Sequence, residues 1–131
     1  MKYEFLEHTA DAKFRAYGKN LNEQFLNAAL AMTSIMFDPK KVKPKIKKEI
    51  KIKGLDQKSL LYNLLEELLY LMDTEFFLLN KVSNLKIKDN TLNATLYGDK
   101  ASNYKTTGDV KAVTYQQMEI TKNYVQVIVD I

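Results

Sequence analysis

Three residues near the start of the chain, Glu7, His8 and Asp11, place two carboxyl groups and the only histidine within five positions. Imidazole and carboxylate groups can move protons or bind cations, so this stretch is the first candidate for chemistry. It lies at the bend between two predicted strands, in the sequence E-H-T-A-D. The alternative is that His8 only hydrogen-bonds the backbone of the bend.

The end of the chain offers two further carboxylates. The sequence closes with V-Q-V-I-V-D-I, a predicted strand that runs to the last residue and carries the Asp130 side chain beside the α-carboxylate of Ile131. These anions repel each other, and a bound cation would relieve the repulsion. Asp11 would complete a three-carboxylate site if the first and last strands end side by side, and such oxygen ligands suit calcium or magnesium. The alternative is a terminus that frays into solvent.

The remaining residues exclude several kinds of chemistry. Because the chain has no cysteine and one histidine, it has neither a cysteine nucleophile nor a zinc site of imidazoles and thiolates. A serine nucleophile would need His8 as its base, and no nucleophile motif or phosphate-binding glycine loop accompanies it. The residue types and motifs of this chain therefore include no combination that is typical of a catalytic site.

Composition indicates one domain, residues 1–131, of a soluble globular class, since 46% of the residues are hydrophobic and 27% are charged. The absence of cysteine fits a reducing compartment, and the start of the chain lacks the apolar stretch of a signal peptide, so we expect a cytoplasmic protein. The apolar segment L-L-Y-N-L-L-E-E-L-L-Y-L-M-D-T-E-F-F-L-L contains four carboxylates and therefore predicts a core helix and no membrane association.

The formal net charge is +4, and much of the lysine excess lies between Asp38 and Gly54. Such a basic run can steer a protein toward RNA. It can equally protect an edge strand from pairing with another chain, and it lacks the interleaved aromatic residues of a single-strand-binding platform.

Periodicity predicts two strands around the H-T-A-D bend, a helix capped by Asn20, a strand between Pro44 and Gly54, and a second helix over residues 57–79 capped by Asp56. Four further strands follow, the first two joined by a turn at Asp89-Asn90. This order predicts an α+β fold, with a mainly antiparallel sheet of about six to seven strands backed by two helices.

Several segments together resemble the archease family. They are E-H-T-A-D-A-K-F-R-A-Y-G, the central helix I-K-G-L-D-Q-K-S-L-L-Y-N-L-L-E-E-L-L-Y-L-M-D-T-E-F-F, L-N-A-T-L-Y-G-D, V-K-A-V-T-Y-Q-Q-M-E-I and the closing V-D-I. The resemblance covers essentially the whole chain. It implies an archease-like fold and a protein that is not an enzyme but activates the RtcB-type tRNA-splicing RNA ligase, promoting guanylylation of the ligase and multiple turnover in exon ligation. A modulator of a tRNA-modifying methyltransferase, acting by RNA binding or as a chaperone, is the alternative.

The resemblance also implies site residues. The family's metal ligands fall on Asp11, Asp130 and the carboxylate of Ile131, with calcium as the first expectation and magnesium or manganese as others. Glu7 and His8 would shape this site, and Lys111 would contact the ligase or a nucleotide phosphate, with tRNA reached through the ligase.

The chain departs from the family pattern at three places. It has Ala12-Lys13 after the H-T-A-D motif, where an apolar residue and glycine are usual. It also lacks the histidines that the family commonly has at Gln116 and in the loop 99–108.

Overall fold

The computed structural model describes all 131 residues, which form eight strands and two α-helices. In chain order the elements are β1 (Tyr3–Leu6), β2 (Asp11–Tyr17), α1 (Leu21–Ser34), β3 (Ile46–Lys53), α2 (Gln57–Glu75), β4 (Phe77–Lys88), β5 (Thr91–Lys100), β6 (Ala112–Val113), β7 (Glu119–Ile120) and β8 (Tyr124–Asp130). Short 3-10 helices occur at Pro39–Lys41 and Ala101–Asn103. All strand pairs are antiparallel, and the predicted α+β class with two helices is confirmed.

The strands form two sheets. One has the order β1-β2-β8-β6, with β7 also paired to β8, and the other has the order β3-β5-β4. The structure therefore replaces the predicted single sheet with two, and it has eight strands because the predicted strand V-K-A-V-T-Y-Q-Q-M-E-I-T is interrupted. A turn closed by the Met118 N–H and the Tyr115 carbonyl, with Gln117 at a φ of 51°, separates β6 from β7.

Both helices begin at the predicted caps. The Asn20 side chain accepts a hydrogen bond from the Glu23 N–H, and Asp56 forms a capping box with Ser59. The prediction that α2 extends to residue 79 is wrong by four residues. Phe76 adopts a left-handed conformation that ends the helix, and the apolar residues beyond it pair with β5 as the start of β4.

The hairpin between β4 and β5 turns at Asp89 and Asn90, as predicted. Both have positive φ, 51° and 55°, which is the conformation that a two-residue hairpin turn requires. β3 pairs only with β5 and is therefore an edge strand, in agreement with the protective interpretation of its lysines. Neither helix has the combination of length and apolar character that crossing a bilayer demands.

The two sheets and two helices share one hydrophobic core. It contains Phe14 and Val127 from the first sheet, Leu92 and Leu96 from the second, and the leucine stripe of α2. Since full burial of such a side chain contributes about 1.5–3 kcal/mol, this cluster is what holds both sheets in place.

Candidate functional site

The E-H-T-A-D stretch forms the connection between β1 and β2. These strands pair as far as Leu6 and Lys13, so the bend lies just beyond the end of the paired residues. Ala10 has a φ of 69°, a left-handed conformation that costs a non-glycine residue about 1–2 kcal/mol. This conformation turns the chain so that the next residue, Asp11, begins β2.

Asp11 lies directly opposite Asp130 in the pairing of β2 with β8, and Ala112 of β6 lies opposite Asp130 on its other side. Residues that face each other across antiparallel strands share a face of the sheet, with Cβ atoms about 4.5–5.5 Å apart. The neighbour of the last strand is therefore the second strand and not the predicted first strand: β2 begins beside the end of β8, which still places Asp11 opposite Asp130. Two like charges in this position repel each other, and a cation would relieve the repulsion.

His8 lies next to this carboxylate pair. Its Nδ1 atom is 3.8 Å from Asp11 Oδ2, which is beyond hydrogen-bonding distance. The same nitrogen is buried and has no hydrogen-bond partner. A buried ring nitrogen without a partner is costly, so the bend leaves His8 with unused bonding capacity beside Asp11.

The donor chemistry of this corner fits a hard divalent cation. Asp11 and Asp130 present their carboxylates on one face of the sheet, and Ile131, whose carboxylate is the third predicted ligand, follows Asp130 directly. No group of three or more His, Cys, Asp or Glu side chains is placed to hold a metal. A cation here would thus need ligands beyond these two side chains, for which the Ile131 carboxylate stays a prediction, as does the assignment of calcium.

The other two predicted site residues are placed differently. Glu7 is exposed and takes part in neither of the two ion pairs of the molecule. The Lys111 N–H donates a hydrogen bond to the Asp130 carbonyl at 2.7 Å, which fixes the backbone of Lys111 against the end of β8. Lys111 also lines a groove of about 250 Å³ together with residues of α2, among them Glu66 and Asp73. Its contact with the ligase or a nucleotide phosphate stays a prediction.

A pair of tyrosines was missed as a pair by the sequence analysis. The rings of Tyr62 in α2 and Tyr115 are stacked, with centroids 4.3 Å apart and planes 6° from parallel. Interaction with the Glu66 side chain, followed by burial, raises the pKa of Tyr62, and burial followed by the charges of Asp56 and Glu66 raises the pKa of Tyr115. The stack joins α2 to the segment that follows β6. Helical periodicity placed Tyr62 on α2, but no local pattern connects it to position 115.

The chain is similar to known proteins over almost its whole length. Residues 3–131 match the model of the Archease protein family. The chain belongs to the archease family. Protein archease of Sulfurisphaera tokodaii is 45% identical over 122 residues, covering 91% of this chain and 88% of that protein. Protein archease of Methanosarcina barkeri is 41% identical over 142 residues, covering 99% and 96%.

Solved structures share the fold. A protein from Methanobacterium thermoautotrophicum, determined in solution, is 37% identical and superposes with a TM-score of 0.82 over 99% of both chains. The crystal structure of an archease from Thermotoga maritima, described as a possible chaperone, gives a TM-score of 0.64 over 96% of this chain and 94% of that one. At 18% identity, this second likeness concerns the fold alone.

At two of the three places where the chain departs from the archease pattern, the residues present take part in local hydrogen bonds. Gln116 is exposed, and its N–H donates to Thr114 Oγ1 at 3.3 Å. The predicted 99–108 loop begins later than expected, because Asp99 and Lys100 pair with β4 as the end of β5. Asp99 is buried and accepts hydrogen bonds from the Tyr104 hydroxyl and the Lys100 N–H. These bonds, that from Tyr104 first, hold the pKa of Asp99 below its usual value. Asp99 thus has a structural role that needs no histidine nearby.

Proposed function

We propose that this archease family member activates an RtcB-type RNA ligase, promoting guanylylation of the ligase and its multiple turnover in tRNA exon ligation. Support comes from family membership over residues 3–131, together with the pairing that sets the aspartates of the H-T-A-D and V-D-I motifs opposite each other. The chain itself offers no nucleophile motif, so the covalent chemistry belongs to the ligase.

In this proposal the functional site is the group formed by Asp11, Asp130 and Ile131, which we call the carboxylate corner. Asp11, Asp130 and the carboxylate of Ile131 hold a divalent cation, and His8 packs beside Asp11. When bound, the cation supplies a positive charge that attracts phosphate oxygens. Because Asp11 begins β2 and Asp130 ends β8, the two strands fix the separation of the carboxylates.

A second candidate is a chaperone-like modulator of another protein, such as a tRNA-modifying methyltransferase. The observation that favours it is the set of large apolar side chains exposed on and around α2, namely Leu55, Tyr70, Phe76 and Tyr115. Such side chains can cover apolar surface on a partner. These side chains are equally suited to docking on the ligase. They therefore do not distinguish the two candidate functions, and assays with each partner protein are needed.

Ligation of tRNA exon halves by a purified RtcB-type ligase tests the main proposal. With this protein present in amounts well below the ligase, we expect the ligase to join many substrate molecules per enzyme, whereas without it the reaction stops near one. If product formation is the same with and without the protein, the activator role fails. Suppression of methyltransferase aggregation would then favour the second candidate.

A further inference from the structure

The outer face of the β3-β5-β4 sheet concentrates the lysines of the molecule. We call this surface the lysine face, and it is formed by the side chains of Lys47, Lys51, Lys53, Lys81, Lys86 and Lys88, with Tyr97, Thr95, Asn93 and Thr91 between them. The pairing of the strands sets Lys47 and Lys81 on either side of Tyr97, Lys51 and Lys86 on either side of Asn93, and Lys53 and Lys88 on either side of Thr91. The lysine run near β3 is evident in the sequence, but three of the six lysines, Lys81, Lys86 and Lys88, come from β4.

The charge of the lysine face is not neutralised within the protein. Six lysines and one glutamate, Glu49, give it a formal charge of +5, which exceeds the net +4 of the whole chain. Neither of the two ion pairs in the molecule involves any of the six. Lys48, which points to the opposite side of β3, is instead paired with Glu75 of α2.

The lysine face is also uncovered. The opposite side of the sheet, with Leu92, Ala94 and Leu96, is buried in the common core. All six lysines and Asn93 on the outer side are exposed. A polar and strongly basic surface of this kind matches a polyanion.

The spacing of the lysines favours a polymer over a small anion. Those on β3 and β4 form two columns separated by the width of two strand spacings, about 10 Å. Within each column, Lys51 and Lys53, or Lys86 and Lys88, are two residues and therefore about 7 Å apart. Two rows of cations along the sheet can follow the two phosphate backbones that border a groove of a nucleic acid duplex.

The aromatic content of the face argues against unpaired bases as its ligand. Proteins that bind single strands stack successive bases on several aromatic rings. Tyr97 is the only aromatic residue on the outer side of β5, and the Lys81 ammonium lies 5.1 Å from the centre of its ring. Thr91 and Asn93, between the columns, offer a hydroxyl and an amide that can hydrogen-bond sugar hydroxyls.

We propose that the lysine face binds the phosphate backbone of base-paired RNA. The choice of RNA over DNA rests on the proposed function, since the ligase acts on RNA. The lysines also protect two edge strands from pairing, a role that requires no ligand. Binding experiments separate the two roles, because edge protection predicts no particular affinity of this face for RNA.

The test uses the full chain without any ligase, and measures the fluorescence anisotropy of a labelled RNA hairpin stem between about 50 and 200 mM salt. One variant replaces Lys51, Lys53, Lys86 and Lys88 with glutamine. A matched control replaces four exposed lysines elsewhere, Lys2, Lys19, Lys58 and Lys122, and so has the same net charge. We expect the face variant to lose about tenfold or more in affinity and its salt slope to fall by about three to four, with the control close to wild type.

Several results would overturn the proposal. Equal losses in both quadruple variants would mean that only net charge matters, and no loss in either would mean that the RNA lies elsewhere. Tighter binding of a single strand than of the stem would exclude base-paired RNA, and equal competition by polyglutamate would indicate an acidic protein surface. If the quadruple face variant does not fold, as judged by circular dichroism, the double variant Lys51→Gln/Lys86→Gln should show about half the change in salt slope. Because no ligase is present, failure here leaves the activator role standing, and the reverse is also true.

Discussion

The two charged regions of the molecule lie on different sheets and are organised in opposite ways. At the carboxylate corner, a single pair of aspartates faces each other across β2 and β8. On the lysine face, six cations are spread over the two outer strands of the other sheet. The aspartate pair concentrates repulsion at one point, where one small cation can neutralise it. The lysines are about 7–10 Å apart, close to the screening length at 0.1 M salt, so their repulsion is only partly screened and is spread over a surface that suits an extended ligand.

Both regions nevertheless depend on the same core, and loss of core side chains should have the largest effect on either. Phe14 lies beneath the first sheet and Leu96 beneath the second, and both are fully buried. We expect Phe14→Ala to lower the free energy of unfolding by about 3–5 kcal/mol and Leu96→Ala by about 2–5 kcal/mol. Urea unfolding followed by circular dichroism should show one transition in each variant. A second transition would mean that the two sheets are independent units.

The carboxylate corner should respond to divalent cations, whereas the lysine face should not. In EDTA, Asp130→Asn removes the repulsion and should raise the free energy of unfolding by about 0.2–1 kcal/mol. In calcium, the wild type should gain about 2.7 kcal/mol at a hundred times the dissociation constant, and the variant should gain much less.

Thermal unfolding in EDTA and in calcium measures both effects, and Asp89→Asn, at the hairpin tip of the other sheet, is the control because asparagine suits that turn. If calcium shifts the thermal unfolding of wild type and Asp130→Asn equally, the aspartate pair does not bind the cation.

Asp99 provides a third arrangement, a carboxylate stabilised by hydrogen bonds. Because its folded-state pKa is lowered, its contribution to stability is present above the unfolded-state pKa of about 4 and is lost as the pH falls through the lower folded-state value. Tyr104→Phe removes the largest cause of the shift. The urea midpoint of this variant should lie below that of wild type at pH 5 and approach it in stronger acid. A constant difference at all pH values would show that Tyr104 acts only through packing.

Single lysines of the lysine face should matter least to stability. Lys86→Gln should change the free energy of unfolding by less than about 0.5 kcal/mol, with a slight gain at low salt because repulsion is relieved. The gain should disappear near 1 M salt, where the screening length is about 3 Å. Lys58→Gln on α2 is the matched control, and a loss of stability specific to Lys86→Gln would mean that this lysine has a structural partner.

The sequence predicted the features that depend on neighbouring residues. The caps at Asn20 and Asp56 and the turn at Asp89-Asn90 are local, and all three are confirmed. The end of α2 was missed because the leucine periodicity continues past the left-handed Phe76. The two-sheet arrangement could not be read from the sequence, since strand partners are chosen by tertiary packing.

The candidate site was predictable in part for the same reason. The types of residue at Asp11 and Asp130 indicated cation chemistry, but their direct opposition is a property of the pairing between β2 and β8. The groove that Lys111 lines together with residues of α2, and the lysine face as a surface, likewise appear only once the strands are aligned.

Guanylylation of an RtcB-type ligase by labelled GTP, without RNA, tests the central claim most directly. The ligase would be assayed alone, with wild type, with Asp11→Asn and with the control Asp89→Asn, in the presence of a divalent cation. We expect wild type and Asp89→Asn to accelerate labelling of the ligase. We expect Asp11→Asn, although folded, to leave the labelling rate unchanged. Equal acceleration by Asp11→Asn would contradict the role of the carboxylate corner, and no acceleration by wild type would contradict the activator function itself.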